Sequence, residues 1–80
     1  MANKEQYRIL LEGAKVWNEW RVLYPDAVID LTEADLRGES VRGADLSSVD
    51  LRGANIRKAN ASEADFSRAD MREADLSKCN

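Results

Sequence analysis

The chain contains no histidine, one cysteine (Cys79) and one proline (Pro25), and aromatic residues make up only 6% of its 80 positions. Without His, and with one Cys near the terminus, there is no zinc-ligand spacing and no thiol–imidazole pair. The serines have no base beside them in the pattern, so nothing supports catalysis or a bound metal or cofactor. A lone cysteine forbids an intrachain disulfide, which excludes a secreted disulfide scaffold and favours a reducing, cytoplasmic setting. The longest apolar run near the N-terminus, Ile9-Leu10-Leu11, is far short of a signal-peptide core or of the roughly 20 residues a membrane span needs. No membrane association is expected. With aromatics scarce in a chain that is 44% hydrophobic, the apolar material is mostly Ala and Leu, which suits narrow, tightly stacked spaces.

Strong charge of one sign is also missing. The formal net charge is −3: residues 1–28 carry four acids and four bases, residues 29–80 eleven acids and eight bases. Such a weak excess, screened beyond about 8 Å at physiological salt, makes neither a polyanion nor a basic binder of nucleic acid. Eighty residues form one small domain, in a size range where an ordinary core offsets chain entropy poorly.

The chain divides at Pro25. Residues 1–28 are expected to form a helical cap, helical from Asn3 to about Tyr24. Asn3 caps the first turn, with Gln6 as its capping-box partner, and Tyr7, Leu10, Leu11, Ala14 and Trp17 follow helical spacing. Gly13 kinks this helix or breaks it into two, and Pro25 ends it by forcing Tyr24 out of the helical region. Trp17, Trp20 and Tyr24 are expected to cover the open end of the segment beyond Pro25, the alternative being an exposed aromatic patch.

Residues 29–80 repeat every five. From Ile29 the chain reads IDLTE, ADLRG, ESVRG, ADLSS, VDLRG, ANIRK, ANASE, ADFSR, ADMRE, ADLSK, then Cys79-Asn80. The central column, from Leu31 to Leu76, is large and apolar; the column two residues earlier is small. Five residues advance a helix by about 500°, which smears the apolar column around the cylinder. Apolar positions two apart share one side of an extended segment, but the next pair comes after three residues, so the chain must turn a corner once per repeat. Repeated corners make a coil with an apolar bore and a polar exterior. Gly38, Gly43 and Gly53 fall at those corners, where positive φ is needed.

The A-(D/N)-L-x-x pattern, seen in Ala34-Asp35-Leu36-Arg37-Gly38 and Ala74-Asp75-Leu76-Ser77-Lys78, resembles the pentapeptide-repeat family over ten consecutive units. The resemblance implies an all-β solenoid, a right-handed quadrilateral parallel β-helix with twenty residues per coil, hence about 2.5 coils here. It also makes residues 1–28 similar to the N-terminal helical cap of many members. Residues twenty apart should then stack, as in Leu31/Leu51/Met71 and Leu46/Phe66.

Three surfaces result. The Asp and Asn column from Asp30 to Asn80 could be a carboxylate ladder for metal ions or phosphate mimicry, but is expected instead to bond backbone amides at the corners. Arg37, Arg52, Arg57 and Arg72 should fall on two adjacent faces, either offering guanidinium groups to a partner's carboxylates or pairing with those aspartates. Glu39 breaks the small inward column, so it should pair with an Arg or a cap residue, or the coil should be irregular there. The chain stops two residues into an eleventh repeat, leaving Met71, Leu76 and Cys79 near an open end, which predicts a homodimer through that end or a chain cut from something longer.

The expected function is therefore a non-catalytic protein-interaction or scaffolding module, using a side face or the C-terminal end to bind another protein. Two alternatives stand beside it. One is DNA mimicry toward a topoisomerase such as gyrase, which the resemblance associates with a long, strongly acidic dimeric rod. The other is the capped start of a longer solenoid with no ligand of its own.

Overall fold

The Asn3 side chain accepts the Gln6 amide at 3.0 Å and so starts helix α1, Lys4–Leu11. Gly13 adopts φ 117°, a conformation that side-chain-bearing residues avoid, and the chain re-enters a second helix, α2, at Ala14–Leu23. The segment is thus two helices. Tyr24, at φ −127° and ψ 65°, has left the helical region just ahead of Pro25, as expected. The computed structural model describes residues 1–80, and these are its only two continuous elements.

From Ile29 onward each repeat bonds to the repeat twenty residues later. The Leu31 amide donates to the Asp50 carbonyl at 2.8 Å, and Asp50 returns a bond to Ile29 at 3.1 Å. Parallel bridges join Asp30, Asp50 and Asp70 on one side, and Asp35, Asn55 and Asp75 on the next. Ser40–Asn60 and Asp45–Asp65 mark the third and fourth sides. The twenty-residue stacking is therefore present. The all-β expectation is met only in part, because pairing stays at isolated bridges and no strand forms. The five-residue period is the cause: each repeat spends its last two residues on a β-turn, such as the one closed by the Ala34 amide on the Leu31 carbonyl at 3.1 Å. Too little extended chain remains for a strand.

The turns need positive φ at the fifth residue of each repeat. Gly38, Gly43 and Gly53 supply it without steric cost, while Glu33, Ser48, Lys58, Glu63, Arg68, Glu73 and Lys78 adopt it, at φ 58–64°, despite their side chains. From Lys58 on, every corner is of the second kind.

The apolar columns form one core. Leu31, Leu36, Leu46 and Leu51 are completely buried, and Ile56 and Val41 nearly so. Burial fades in the last turn: Phe66 and Met71 are half-buried and Leu76 is 41% exposed. At the other end Trp17 is fully buried against the first turn, with Ile9 and Leu10 beside it. Two details differ from expectation. Leu11 is exposed while Ile9 takes the inward position, because α1 ends after two turns and α2 restarts the phase. Of the three aromatics, Trp17 is buried, Trp20 half-buried and stacked on it at 5.5 Å, and Tyr24 is 56% exposed at the rim.

Glu39 meets neither expectation. Its amide donates to Leu36 at 3.1 Å and its carbonyl accepts from Asn60 at 3.0 Å, so the coil is regular there. Its side chain forms no ion pair and is exposed, because it tops the third side, where no turn lies above and the one bond from the helices, Asn18 to the Gly43 carbonyl at 3.0 Å, is made at the other end of the repeat.

Candidate interaction surfaces

The aspartate column belongs to the turns. In nine repeats the Asp or Asn Oδ1 accepts the amide two residues on, as Asp35 does from Arg37 at 3.2 Å and Asn60 from Ser62 at 3.1 Å. Ser40 is the exception. The residue after the large apolar position bonds the same carboxylate a second time, through a hydroxyl at Thr32, Ser47, Ser67 and Ser77, or a guanidinium at Arg37, Arg52 and Arg72.

Arg52 and Arg72 share the first side; Arg37 and Arg57 share the second. Arg37, Arg52 and Arg72 each grip their own repeat's aspartate with two nitrogens at 2.7–2.9 Å. Arg52 also lies 3.9 Å from Asp70, and Arg57 3.8 Å from Asp75, so the pairs ladder across turns. Arg42, on the third side, reaches Glu63 at 3.3 Å. These contacts hold the carboxyls below their ordinary range: Asp70 falls to about 2, chiefly through the Arg72 guanidinium, and Asp50 and Asp35 fall through Arg52 and Arg37. Asp65 and Asp75 are lowered by the Ser67 and Ser77 hydroxyls, and Asp30 by the Thr32 amide and hydroxyl. The four arginines lie on two adjacent sides, Arg37, Arg52 and Arg72 occupied by their own repeats' aspartates and Arg57 near Asp75 of the next turn.

The N-terminal edge of the coil is closed by side chains. Gln6, buried to 7% exposure, accepts the Asp30 amide at 2.9 Å and donates to the Val28 carbonyl at 3.0 Å. It does not complete a capping box; the Asn3 amide donates instead to the Asp30 carbonyl at 2.8 Å. Tyr7 Oη donates to the Asp35 carbonyl at 2.7 Å. On the fourth side Trp17 Nε1 and Arg21 Nη1 both donate to the Asp45 carbonyl at 2.8 Å, while Asn18 accepts the Asp45 amide at 2.8 Å. No buried side-chain polar atom is left without a partner.

Phe66, Met71, Leu76 and Cys79, from successive sides of the last turn, are all at least partly exposed. Sequence reasoning missed one further surface. Val22 at 79%, Leu23 at 71% and Val28 at 90% exposure lie on or just after the outer side of α2. The Val16–Trp20–Leu23 spacing was a legible signal, but it reads as a core stripe until Trp17 is seen to take the inward position. Nowhere do three acidic, His or Cys side chains gather as a metal site, and no helix is long and apolar enough to cross a membrane.

No curated protein and no solved structure matches the chain. A family model described as pentapeptide repeats (8 copies) matches residues 29–66 and 44–80, together the whole repeating segment. With the five-residue register, the twenty-residue stacking and this match in agreement, the chain belongs to the pentapeptide-repeat family.

Proposed function

We propose that this protein is a non-catalytic protein-interaction module, a right-handed quadrilateral β-helix that meets its partner through the last turn of the coil. The observation that carries this reading is the contrast in what is already satisfied. The side-face arginines Arg37, Arg52 and Arg72 are each held by two bonds to their own aspartates, and freeing them for a partner would forfeit those bonds. The last turn instead offers Leu76 at 41% exposure, with Phe66, Met71 and Cys79 half-covered. A free thiol at that end suits a reducing, cytoplasmic setting. Phosphate mimicry toward a topoisomerase fits less well, because the aspartates are bonded to turn amides and several are neutralised by arginine.

Affinity capture from native lysate tests the assignment. Leu76→Asp is expected to lose the captured protein, and Arg52→Glu with Arg72→Glu to retain it, both variants keeping the wild-type circular dichroism spectrum. The opposite pattern would move the interface to the first side of the coil.

A further inference from the structure

One repeat breaks the charge pattern of the coil. Ala54-Asn55-Ile56-Arg57-Lys58 is the only one of the ten with two bases and the only one with no acid. It lies on the second side, which carries four bases and two acids, whereas the first side carries two bases and five acids and each remaining side one base and two acids. A chain of net charge −3 thus keeps one basic side.

The break falls on the residue that decides whether an arginine is free. In the repeats of Arg37, Arg52 and Arg72 the aspartate accepts both the turn amide and the guanidinium. Asn55 accepts only the first: its Oδ1 takes the Arg57 amide at 3.2 Å, and the Arg57 guanidinium forms no hydrogen bond. Its one ionic approach is to Asp75 at 3.8 Å, beyond hydrogen-bond range, and Asp75 already accepts the Ser77 amide at 3.0 Å and hydroxyl at 2.7 Å. An amide in place of a carboxylate therefore keeps the turn and releases the guanidinium.

Arg57 and Lys58 line an open groove of about 530 Å³ together with Tyr7, Arg37 and Glu39. Tyr7 is its aromatic wall, fixed by the bond from Oη to the Asp35 carbonyl at 2.7 Å. We infer that this groove binds an acidic peptide segment of a partner protein, with one carboxylate seated between the Arg57 guanidinium and the Lys58 ammonium. The site is separate from the last-turn contact proposed above. An extended polyphosphate does not suit it: Glu39 borders the groove and the acidic first side adjoins the second, so only a short run of negative charge is accommodated.

Titration of the full ¹⁵N-labelled chain with tetraglutamate, followed by amide and arginine Nε shifts, tests this. Shifts are expected at Tyr7, Gly38, Arg57 and Lys58, with affinity falling as salt is raised. Asn55→Asp restores the acid that most repeats carry, so it should fold as the wild type does and clamp Arg57 within its own repeat. It is expected to weaken binding at least about tenfold, as is Arg57→Gln. Glu39→Gln should tighten it about two- to fivefold by removing the like charge, and Leu76→Asp should leave it unchanged. Wild-type affinity in both Asn55→Asp and Arg57→Gln would overturn the site, as would shifts confined to other sides of the coil. Tetrathymidylate binding as tightly as tetraglutamate would overturn the choice of an acidic protein segment over nucleic acid. Loss of tetraglutamate binding in Leu76→Asp would overturn the separation of this site from the last turn, whereas failure of the last-turn contact alone is read by Leu76→Asp retaining its captured protein.

Discussion

The two ends of the coil solve the same problem differently. At the N-terminal end, Trp17 is fully buried and Gln6 7% exposed, and side chains from two short helices satisfy main-chain groups that a preceding turn would have met. At the C-terminal end Leu76 is 41% exposed and the last amides point outward. Each turn of a stacked array is stabilised by its neighbours, so an end is as stable as whatever covers it. The difference teaches that the cap is more than an apolar lid. Its side chains meet the main-chain groups of the edge it covers, donating to the Val28, Asp35 and Asp45 carbonyls and accepting the Asp30 and Asp45 amides.

The comparison breaks most sharply at Trp17. Trp17→Ala removes the one completely buried aromatic and the donor to the Asp45 carbonyl, at an expected cost of about 3–5 kcal/mol. For an 80-residue domain that is a large share of a total stability of about 5–15 kcal/mol. Urea denaturation should show a much lower midpoint. A variant with the wild-type midpoint would mean that the helices do not stabilise the coil. Next in size is a paired truncation along the bore. Leu51→Ala, at a fully buried position, should cost about 2–5 kcal/mol, and Leu76→Ala less than about 1 kcal/mol. Equal losses would mean that the C-terminal end is covered in solution, by a second copy or by a partner.

The coil was legible because its signal is redundant: ten units agree on one register, so Glu39 or Ala61 can depart from the column without obscuring it. The turn role of the aspartates was legible too, since Asp and Asn share little beyond the ability to accept a nearby amide. The cap's polar work was not. Asn18 and Arg21 look like ordinary helix-surface residues, and their function exists only once α2 lies across the Asp45 main chain; Gln6 reads as a local cap partner, while its actual bonds run to Val28 and Asp30, long-range relations that no local pattern encodes. Tyr24 was misjudged for the same reason. Helical spacing groups it with Trp17 and Trp20, but only the packing shows that the coil end is covered before Tyr24 is reached.

The corners extend the contrast along the chain. Glycine occupies three corners up to Gly53, whereas each corner from Lys58 to Lys78 holds a side chain at φ 58–64°. A non-glycine residue costs about 1–2 kcal/mol in this region, partly offset by the extra unfolded-state entropy that glycine loses on folding. Gly38→Ala, with nothing within 4 Å of the added methyl, should therefore destabilise through backbone strain alone, by about 1 kcal/mol. Lys58→Gly should raise the thermal midpoint slightly. If Lys58→Gly lowered it, the corners near the open end would be held by side-chain contacts and not merely tolerated.

The smallest expected effect isolates the charged faces. Asn55 and Asn60 accept the amides of Arg57 and Ser62 as the aspartates do elsewhere. Asp70→Asn therefore keeps the turn bond and removes only the ionic contact with Arg72, together with the weaker one to Arg52. The sign of its pH dependence comes from the shift. The folded carboxyl sits at about 2, below its ordinary 3.8, so its contribution is fully present above the ordinary value and is lost as pH falls through about 4 toward 2. The wild type should melt slightly above Asp70→Asn at neutral pH, and the gap should shrink across that window and close near its lower limit. A gap that stayed constant with pH could not come from the carboxylate's charge; it would place the value of Asp70 in the turn and leave the arginine ladder as solvated decoration. A gap that closes as expected would show that the Asp70 charge is used internally, by the arginines beside it on the first side.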